Sequence, residues 1–467
     1  MASDSMVSVA PSGLSEAELC TWVTSVAGGT VRPMRQITGG NRYRSWAVDI
    51  EMADGRIKPL YLRYQLPRPP SAEPYTVARE AGIYAAVSDK GVSAPRLIAV
   101  HPDRHAILTE RAPGRADFRR LTDPEQRVTV VQEFMAAIAA LHKLDTAGMG
   151  LEGYAPRLTI ADYVKQELDT WRGMYEETGR TDPLIDLGLT WLYANLPRPT
   201  ERPVLAHGDA GPGNFLFDNG HMTALLDWEL AHLGDPMEDL AWFSMRCVME
   251  PVPDFVGRIR DYERLAGRPM DRARVLYHRV FVSTRVVIIR HRNVTGEPGN
   301  SIVSRGLNRR LLIDALAAAI GVALPAPVPI VAPDTSRTAL YEGVIEDLRA
   351  KMAERTDDPV IVASAKNAAK VLKFLRESDR LGPAIEQEDL QALTVLLGAR
   401  PSSVSEGQAA LVAGMSDGRF TTEQVLGYFA GSVAREAQLA AASSGGLANR
   451  TFPDLPRRQR SDSDHDG

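Results

Sequence analysis

Alternation of apolar and polar residues between positions 33 and 112 predicts a small β-rich region. A capping-box pair, Ser15 and Glu18, predicts a short helix before it. A turn at Asp54-Gly55 separates the first two strands. The predicted strands are 45–50, 60–64, 96–100 and 106–109, with one helix at about 75–89.

After Gly114 the apolar residues recur with the period of α-helices, most clearly over 130–141 and 164–175. A hairpin interrupts this pattern, because short apolar runs flank Asp218-Asn219-Gly220, a strong turn sequence. Helices are then predicted to continue to about residue 321.

These patterns predict an α+β fold with a β-rich N-lobe and a mostly helical C-lobe, followed by a separate all-α domain. Four prolines between 325 and 333 indicate a semi-rigid linker. The predicted boundaries are 13–112 for the N-lobe, 113–322 for the C-lobe, 323–334 for the linker, 335–445 for the helical accessory domain and 446–467 for a disordered tail.

Composition narrows the function only broadly. The chain has 467 residues and a net charge of −5, which gives no electrostatic reason to expect binding to nucleic acid or membranes. Two cysteines, Cys20 and Cys247, cannot form a disulfide framework. The first 30 residues lack the pattern of a signal peptide, and no apolar run reaches the length of a membrane span. We therefore expect a cytoplasmic protein.

The candidate chemistry lies in His207-Gly208-Asp209, Asn214 and Asp227. Asp209 and Asn214 have the Asp-x4-Asn spacing of a protein-kinase catalytic loop. In that interpretation Asp209 orients a hydroxyl group and accepts its proton, whereas Asn214 offers an oxygen to Mg²⁺. The hairpin folds Asp227 back toward Asn214, where its carboxylate can complete the metal site. His-Gly-Asp alone is a weak motif, but the joint pattern favours chemistry over chance.

Several neighbouring polar residues have structural interpretations. Asp235 is a good helix N-cap, with Glu238 placed to complete a capping box. For Asp239 a structural role is favoured, and for His142 a role in capping a helix. Glu229 is interpreted as a solvated carboxylate.

Three segments closely resemble the aminoglycoside phosphotransferase superfamily, and in particular the branch that also occurs fused to acyl-CoA dehydrogenases. They are 205–214, 226–229 and 234–241, and a weaker resemblance extends over about 30–320. The resemblance implies a two-lobed protein-kinase-like fold, ATP and two Mg²⁺ ions. By match, Asp209 is the catalytic aspartate, and Asn214 and Asp227 are the metal ligands.

The N-lobe matches this superfamily less well. Gly39 and Gly40 lie between strands, where backbone amides can cover ATP phosphates, although glycine pairs also occur in ordinary hairpins. Arg63 stands where kinases have a strand lysine, and its expected partner is Glu80 on the following helix. The alternative is a surface arginine and a solvated glutamate.

Three functions stay open at this point. The first is an ATP-dependent kinase acting on a hydroxyl of a small molecule, with hydroxyacyl-CoA or a hydroxy acid favoured. The second is a catalytically silent nucleotide-binding or regulatory module. The third is an aminoglycoside or other antibiotic kinase, which is less favoured because the 155–200 region mixes acidic and basic residues. The helical domain is expected to act in packing, in contact with a partner or in self-association.

Overall fold

The structure, a computed structural model, describes residues 13–37, 43–67, 71, 73–147, 149, 151, 159–292 and 298–457. The chain folds into two compact units. The first holds the described residues up to 164, those of 199–270, and those from 454 onward. The second holds 165–198 and 271–453.

The elements follow one another as a β-rich part and then a mainly helical part. The strands are β1 (Thr30–Val31), β2 (Arg35–Ile37), β3 (Tyr43–Glu51), β4 (Ile57–Gln65), β5 (Leu97–Val100), β6 (Ala106–Glu110), β7 (Val204–Ala206), β8 (Phe215–Asp218), β9 (His221–Leu225) and β10 (His232–Gly234). The helices are α1 (Glu16–Ala27), α2 (Val77–Val87), α3 (Pro124–Leu141), α4 (Ile160–Glu176), α5 (Pro183–Ala194), α6 (Pro236–Met249), α7 (Phe255–Ala266), α8 (Arg272–Arg292), α9 (Pro298–Ile320), α10 (Thr338–Asp347), α11 (Pro359–Leu397), α12 (Val404–Ser416) and α13 (Thr422–Ser444).

The N-terminal sheet is antiparallel, in the order β1-β3-β4-β6-β5, with β2 also pairing with β3. Alternate residues of β4, Leu60, Leu62 and Tyr64, enter a core shared with α1. Because side chains alternate across a strand, Arg63 lies on the other face of the sheet. The capping box at the start of α1 is confirmed, since Ser15 and Glu18 bond each other reciprocally.

In the rest of the first unit, two small antiparallel sheets carry the segment that contains Asp209, Asn214 and Asp227. One pairs β7 with β10, and the other is the predicted β8–β9 hairpin. Its turn residues, Asn219 and Gly220, have φ values of 48° and 80°, which fit the left-handed conformations of a tight hairpin turn.

Among its described residues, the second unit consists of helices and connecting segments, without a β-strand. Helices α5 and α8 approach closely, since a Cβ added at Gly188 would lie 2.7 Å from Thr284 Oγ1. Arg309 of α9 bonds both Asp182, which caps α5, and Glu436 of α13. Helices on both sides of the proline-rich segment thus belong to one compact unit, which differs from the predicted division at 323–334. The domain boundaries given by the sequence stay a prediction.

Among the described residues, no helix is both long and apolar enough to cross a membrane.

Candidate active site

The segment after β7 carries Asp209 on a tightly packed loop. Gly208 has a φ of 77°, and a Cβ at this position would lie 2.2 Å from the carbonyl oxygen of Leu230. A side chain would therefore clash with backbone as well as strain the chain. Glycine at this position lets the loop bring Asp209 close to the segment that follows Asp227.

Asp239 of α6 holds the start of this loop. Its Oδ2 accepts from the backbone N–H of His207 at 2.7 Å, and its Oδ1 accepts from that of Gly208 at 2.9 Å. His142 Nε2 lies 2.9 Å from the same Oδ2, and its Nδ1 lies 2.8 Å from the hydroxyl of Tyr262. Since an ionised carboxylate only accepts, Nε2 donates to Asp239.

Burial alone would raise the pKa of Asp239. The hydrogen bond with His142 and the electrostatic interactions with His142 and His207 outweigh this effect, so the pKa is lowered. The structural interpretation of Asp239 is thus supported by three contacts. The interpretation of His142 as a helix cap is incomplete: it is the C-cap residue of α3, but its imidazole also joins this buried network.

Asn214 joins the two ends of the candidate site. Its Nδ2 donates to Asp209 at the backbone oxygen (2.7 Å) and at Oδ2 (2.8 Å). Its backbone oxygen accepts from the N–H of Leu226 at 2.8 Å, one residue before Asp227. Asp227 itself has a φ of 63°, a left-handed conformation that turns the chain out of the hairpin. The structure therefore links Asp209, Asn214 and the residue before Asp227 through a run of hydrogen bonds.

Arg63 bonds three carboxylates of the candidate site. Its Nη1 lies 3.0 Å from Glu80 Oε1 and 3.2 Å from Asp227 Oδ1, and its Nη2 lies 2.7 Å from Glu229 Oε2. The guanidinium also stacks 4.1 Å above the ring of Tyr43. Strand β4, helix α2 and the segment after the hairpin thus converge on one cation.

Burial and neighbouring charges set the pKa values of the residues in this cluster. Burial raises the pKa of Glu80 to about 7; the charge of Arg63 opposes this rise, and Asp227 adds to it. Burial would lower the pKa of Arg63, but the three carboxylates outweigh burial and raise it well above its usual value. Arg63 consequently stays charged.

The remaining predictions for this region concern the glycine pair and the N-cap of α6. Gly39 and Gly40 lie outside the described residues. Asp235 caps α6 by accepting from the N–H of Met237 at 2.8 Å, as predicted. The predicted capping box with Glu238 is wrong, because the Glu238 carboxylate instead lies 3.2 Å from His232 Nε2.

The sequence did not predict the contacts of two residues in the site. Glu229, interpreted as solvated, binds Arg63. Arg246 of α6 donates from Nε to Asp209 Oδ1 at 2.8 Å and from Nη2 to Oδ2. One signal could have found it: Asp239 and Arg246 are seven residues apart, and two helical turns place them on the same face of α6.

The residues that could hold a metal offer oxygen only. Over the described part of the chain, no three His, Cys, Asp or Glu side chains cluster as a metal site. With Asn214 Nδ2 bonded to Asp209, its amide oxygen is the atom left for a ligand. Asp227, after the hairpin, supplies a carboxylate, one oxygen of which bonds Arg63. This donor set suits a hard cation that keeps water and phosphate ligands, as Mg²⁺ does.

Similarity to known proteins identifies the family of this chain. The model of the phosphotransferase enzyme family matches residues 33–276, just over half of the chain. Acyl-CoA dehydrogenase family member 11 of Homo sapiens is 32% identical over 183 residues, which are 37% of this chain and 23% of that protein. Hygromycin-B 4-O-kinase of Escherichia coli is 31% identical over 157 residues, 31% of this chain and 45% of that protein. The chain thus matches less than half the length of these relatives.

A solved structure of a candidate aminoglycoside phosphotransferase from Ralstonia eutropha superposes with a TM-score of 0.51 at 20% identity, covering 65% of this chain and 98% of that one. At this identity the likeness concerns the fold alone. It confirms the predicted kinase-like α+β fold with additional C-terminal helices. Because the family match spans 33–276 and includes Asp209, Asn214 and Asp227, the resemblance seen in the sequence is confirmed, and the chain belongs to the phosphotransferase enzyme family.

Proposed function

We propose that this protein is an ATP-dependent phosphotransferase that moves the γ-phosphate of ATP to a hydroxyl group of a small molecule. The observation that carries the proposal is the position of Arg63, which bonds Glu80 of the N-lobe and Asp227 of the catalytic region at once. In a kinase-like site this cation would donate hydrogen bonds to phosphate oxygens of ATP. A surface arginine, the alternative, would not be buried among three carboxylates.

Asp209 is the proposed catalytic residue. In the transfer, the bond from the γ-phosphorus to the bridging oxygen of ADP breaks as a bond to the acceptor oxygen forms. The proton of the acceptor hydroxyl passes to the Asp209 carboxylate. Little other covalent chemistry is needed, since positioning and charge stabilisation provide most of the catalysis of phosphoryl transfer.

Asn214 and Asp227 are the proposed Mg²⁺ ligands, through the amide oxygen and the carboxylate. The metal would neutralise phosphate charge when bound together with ATP. Gly39 and Gly40 are proposed to cover the phosphates with backbone N–H groups, and Arg63 with Glu80 to position them.

For the acceptor we favour a hydroxyacyl-CoA or a hydroxy acid. The support is the run of relatives named as acyl-CoA dehydrogenase family members, in which the match covers only part of a longer protein. A second candidate, an antibiotic kinase, is supported by the similarity to a hygromycin-B kinase. A silent module is less favoured, because nothing in a binding role requires Asp209, Asn214 and Asp227 to stay together.

The test is an ADP-release assay with Mg²⁺ and ATP, run over a panel of hydroxyacyl-CoAs, free hydroxy acids and aminoglycosides. A thermal-shift screen of the same compounds with ATP identifies binding independently of turnover. We expect turnover with one acceptor class and loss of it in Asp209→Asn. Binding of Mg·ATP with no phosphorylated product from any class would favour the silent module.

A further inference from the structure

We propose that Arg246 is a positioning residue of the transfer reaction: it holds the Asp209 carboxylate so that one oxygen, Oδ1, faces the acceptor hydroxyl. The inference rests on the proposed function and adds a residue that the sequence motifs do not contain.

The hydrogen bonds to Asp209 leave few directions of approach. An ionised carboxylate offers about four lone-pair positions. Arg246 takes one on each oxygen through its Nε and Nη2, and Asn214 takes a second on Oδ2. The remaining position lies on Oδ1. The fork of Arg246 fixes the plane of the carboxylate, and the second bond on Oδ2, from Asn214, leaves Oδ1 as the oxygen that an acceptor hydroxyl can approach.

The loop is built around this contact. Gly211 has a φ of 146°, and a Cβ there would lie 2.6 Å from Cβ and 2.8 Å from Cγ of Arg246. At Gly213 a Cβ would lie 3.4 Å from Nη1 of the same arginine. The loop between Asp209 and Asn214 thus lies directly against the Arg246 side chain, which any larger residue at position 211 would displace.

Helix α6 sets both the backbone and the side chain of the loop. Its first turns hold the backbone N–H groups of His207 and Gly208 through Asp239. Two turns later, Arg246 holds the side chain of Asp209. Because the two anchors share one rigid helix, the carboxylate is fixed relative to its own backbone, which is what orientation of a reacting group requires.

Arg246 remains charged in this setting. Burial would lower its pKa, but the charge and hydrogen bonds of Asp209 outweigh burial, and Asp227 and Glu250 add to the increase.

The first test compares Arg246→Ala, Arg246→Lys and wild type in steady-state transfer. We expect Arg246→Ala to lower kcat about 10²-fold, the scale of a small misplacement, while the KM for ATP changes less than about twofold. Lysine restores the charge but not the planar fork, so kcat should stay at least about tenfold below wild type. Exposed Arg260 of α7 supplies the matched control, and Arg260→Ala should behave as wild type.

Chemical rescue separates orientation from general damage. Millimolar guanidinium, with sodium chloride at equal ionic strength as its control, should raise kcat of Arg246→Ala several-fold and leave Arg260→Ala unchanged. Wild-type kcat in Arg246→Lys, or an unrescued Arg246→Ala with a raised KM for ATP, would overturn the orientation role. Loss of activity in Asp209→Asn beside a fully active Arg246→Ala would overturn this inference while leaving the proposed function intact.

Urea unfolding tests the contact between Arg246 and Asp209 without an acceptor or any measurement of turnover. In urea unfolding, Asp209→Asn, Arg246→Gln and the double variant form a mutant cycle. If the pair holds, the double variant unfolds near the midpoint of the less stable single variant. Midpoint shifts that simply add would overturn the pairing, whatever the enzyme acts on.

Discussion

Arg63 and Glu80 form a buried ion pair, with 3.0 Å between Nη1 and Oε1, that joins strand β4 to helix α2. Arg63 stands where a kinase has a strand lysine, and its guanidinium has five donors. The extra donors are used, because the same guanidinium also reaches Asp227 and Glu229. Lysine, with one nitrogen, could not hold three carboxylates in this planar arrangement.

Replacing Arg63 by alanine should weaken ATP binding. The variant loses the proposed phosphate contact and leaves Glu80 without its cation. Charge-assisted hydrogen bonds of about 1.5–3 kcal/mol correspond to a rise of roughly 10–100-fold in the KM for ATP, with a slower kcat. Steady-state kinetics over ATP concentration measure the effect. Arg32→Ala, which removes an exposed arginine at the far end of the same sheet, is the control. Unchanged ATP kinetics in Arg63→Ala would exclude a nucleotide role.

Glu80 should make stability depend on pH. Its pKa is raised to about 7 from the ordinary value of 4.5, so the folded protein binds a proton that the unfolded chain has released between these two values. Stability from this group is therefore present at low pH and is lost as the pH rises from about 4.5 to 7. Glu80→Gln, which stays neutral, should unfold with a flatter pH dependence over pH 5–7. Parallel urea titrations test this, and identical slopes in the two proteins would contradict it.

How far the sequence predicts the site depends on whether a contact is local. Asp209 and Asn214 share a loop, and a turn of two residues brings Asp227 back beside them, so spacing alone predicts their proximity. Arg246 reaches Asp209 from a helix that begins 27 residues later. The spacing of Arg246 from Asp239 places it on the face of that helix that meets the loop, but the contact with Asp209 itself depends on the tertiary fold. Glu238 has the right spacing for a capping box, yet the buried His232 takes its carboxylate.

Asp209 and Asp227 should be separable by mutation. Asp209→Asn keeps shape but removes the proton acceptor, so kcat should fall about 10²–10⁴-fold while Mg·ATP binds nearly as in wild type. Asp227→Asn removes an anionic oxygen ligand and should weaken Mg·ATP binding as well as catalysis. Calorimetry of Mg·ATP binding, beside steady-state rates, distinguishes the two. Near wild-type turnover in Asp209→Asn would leave positioning by the metal as the mechanism.

Asp239 gives the sharpest test of how the loop is held, because an isosteric substitution cannot preserve its contacts. In Asp239→Asn, the amide nitrogen must replace one of the two oxygens. At Oδ1 it would face the N–H of Gly208, and at Oδ2 that of His207, so one backbone donor loses its acceptor in either orientation. An unsatisfied buried donor costs about 1–3 kcal/mol, which should lower the urea midpoint.

The kinetic consequence of Asp239→Asn follows from the position of Gly208, which precedes Asp209. Releasing its N–H lets the loop shift, so kcat should fall by about 10²-fold while the KM for ATP stays close to wild type. Asp123→Asn is the matched control: Asp123 caps α3 at an exposed position, where asparagine caps equally well and stability should stay within a few tenths of a kcal/mol. If Asp239→Asn lowers the urea midpoint and leaves kcat unchanged, Asp239 stabilises the fold without positioning Asp209. A wild-type midpoint together with wild-type kcat would mean that neither amide depends on this carboxylate.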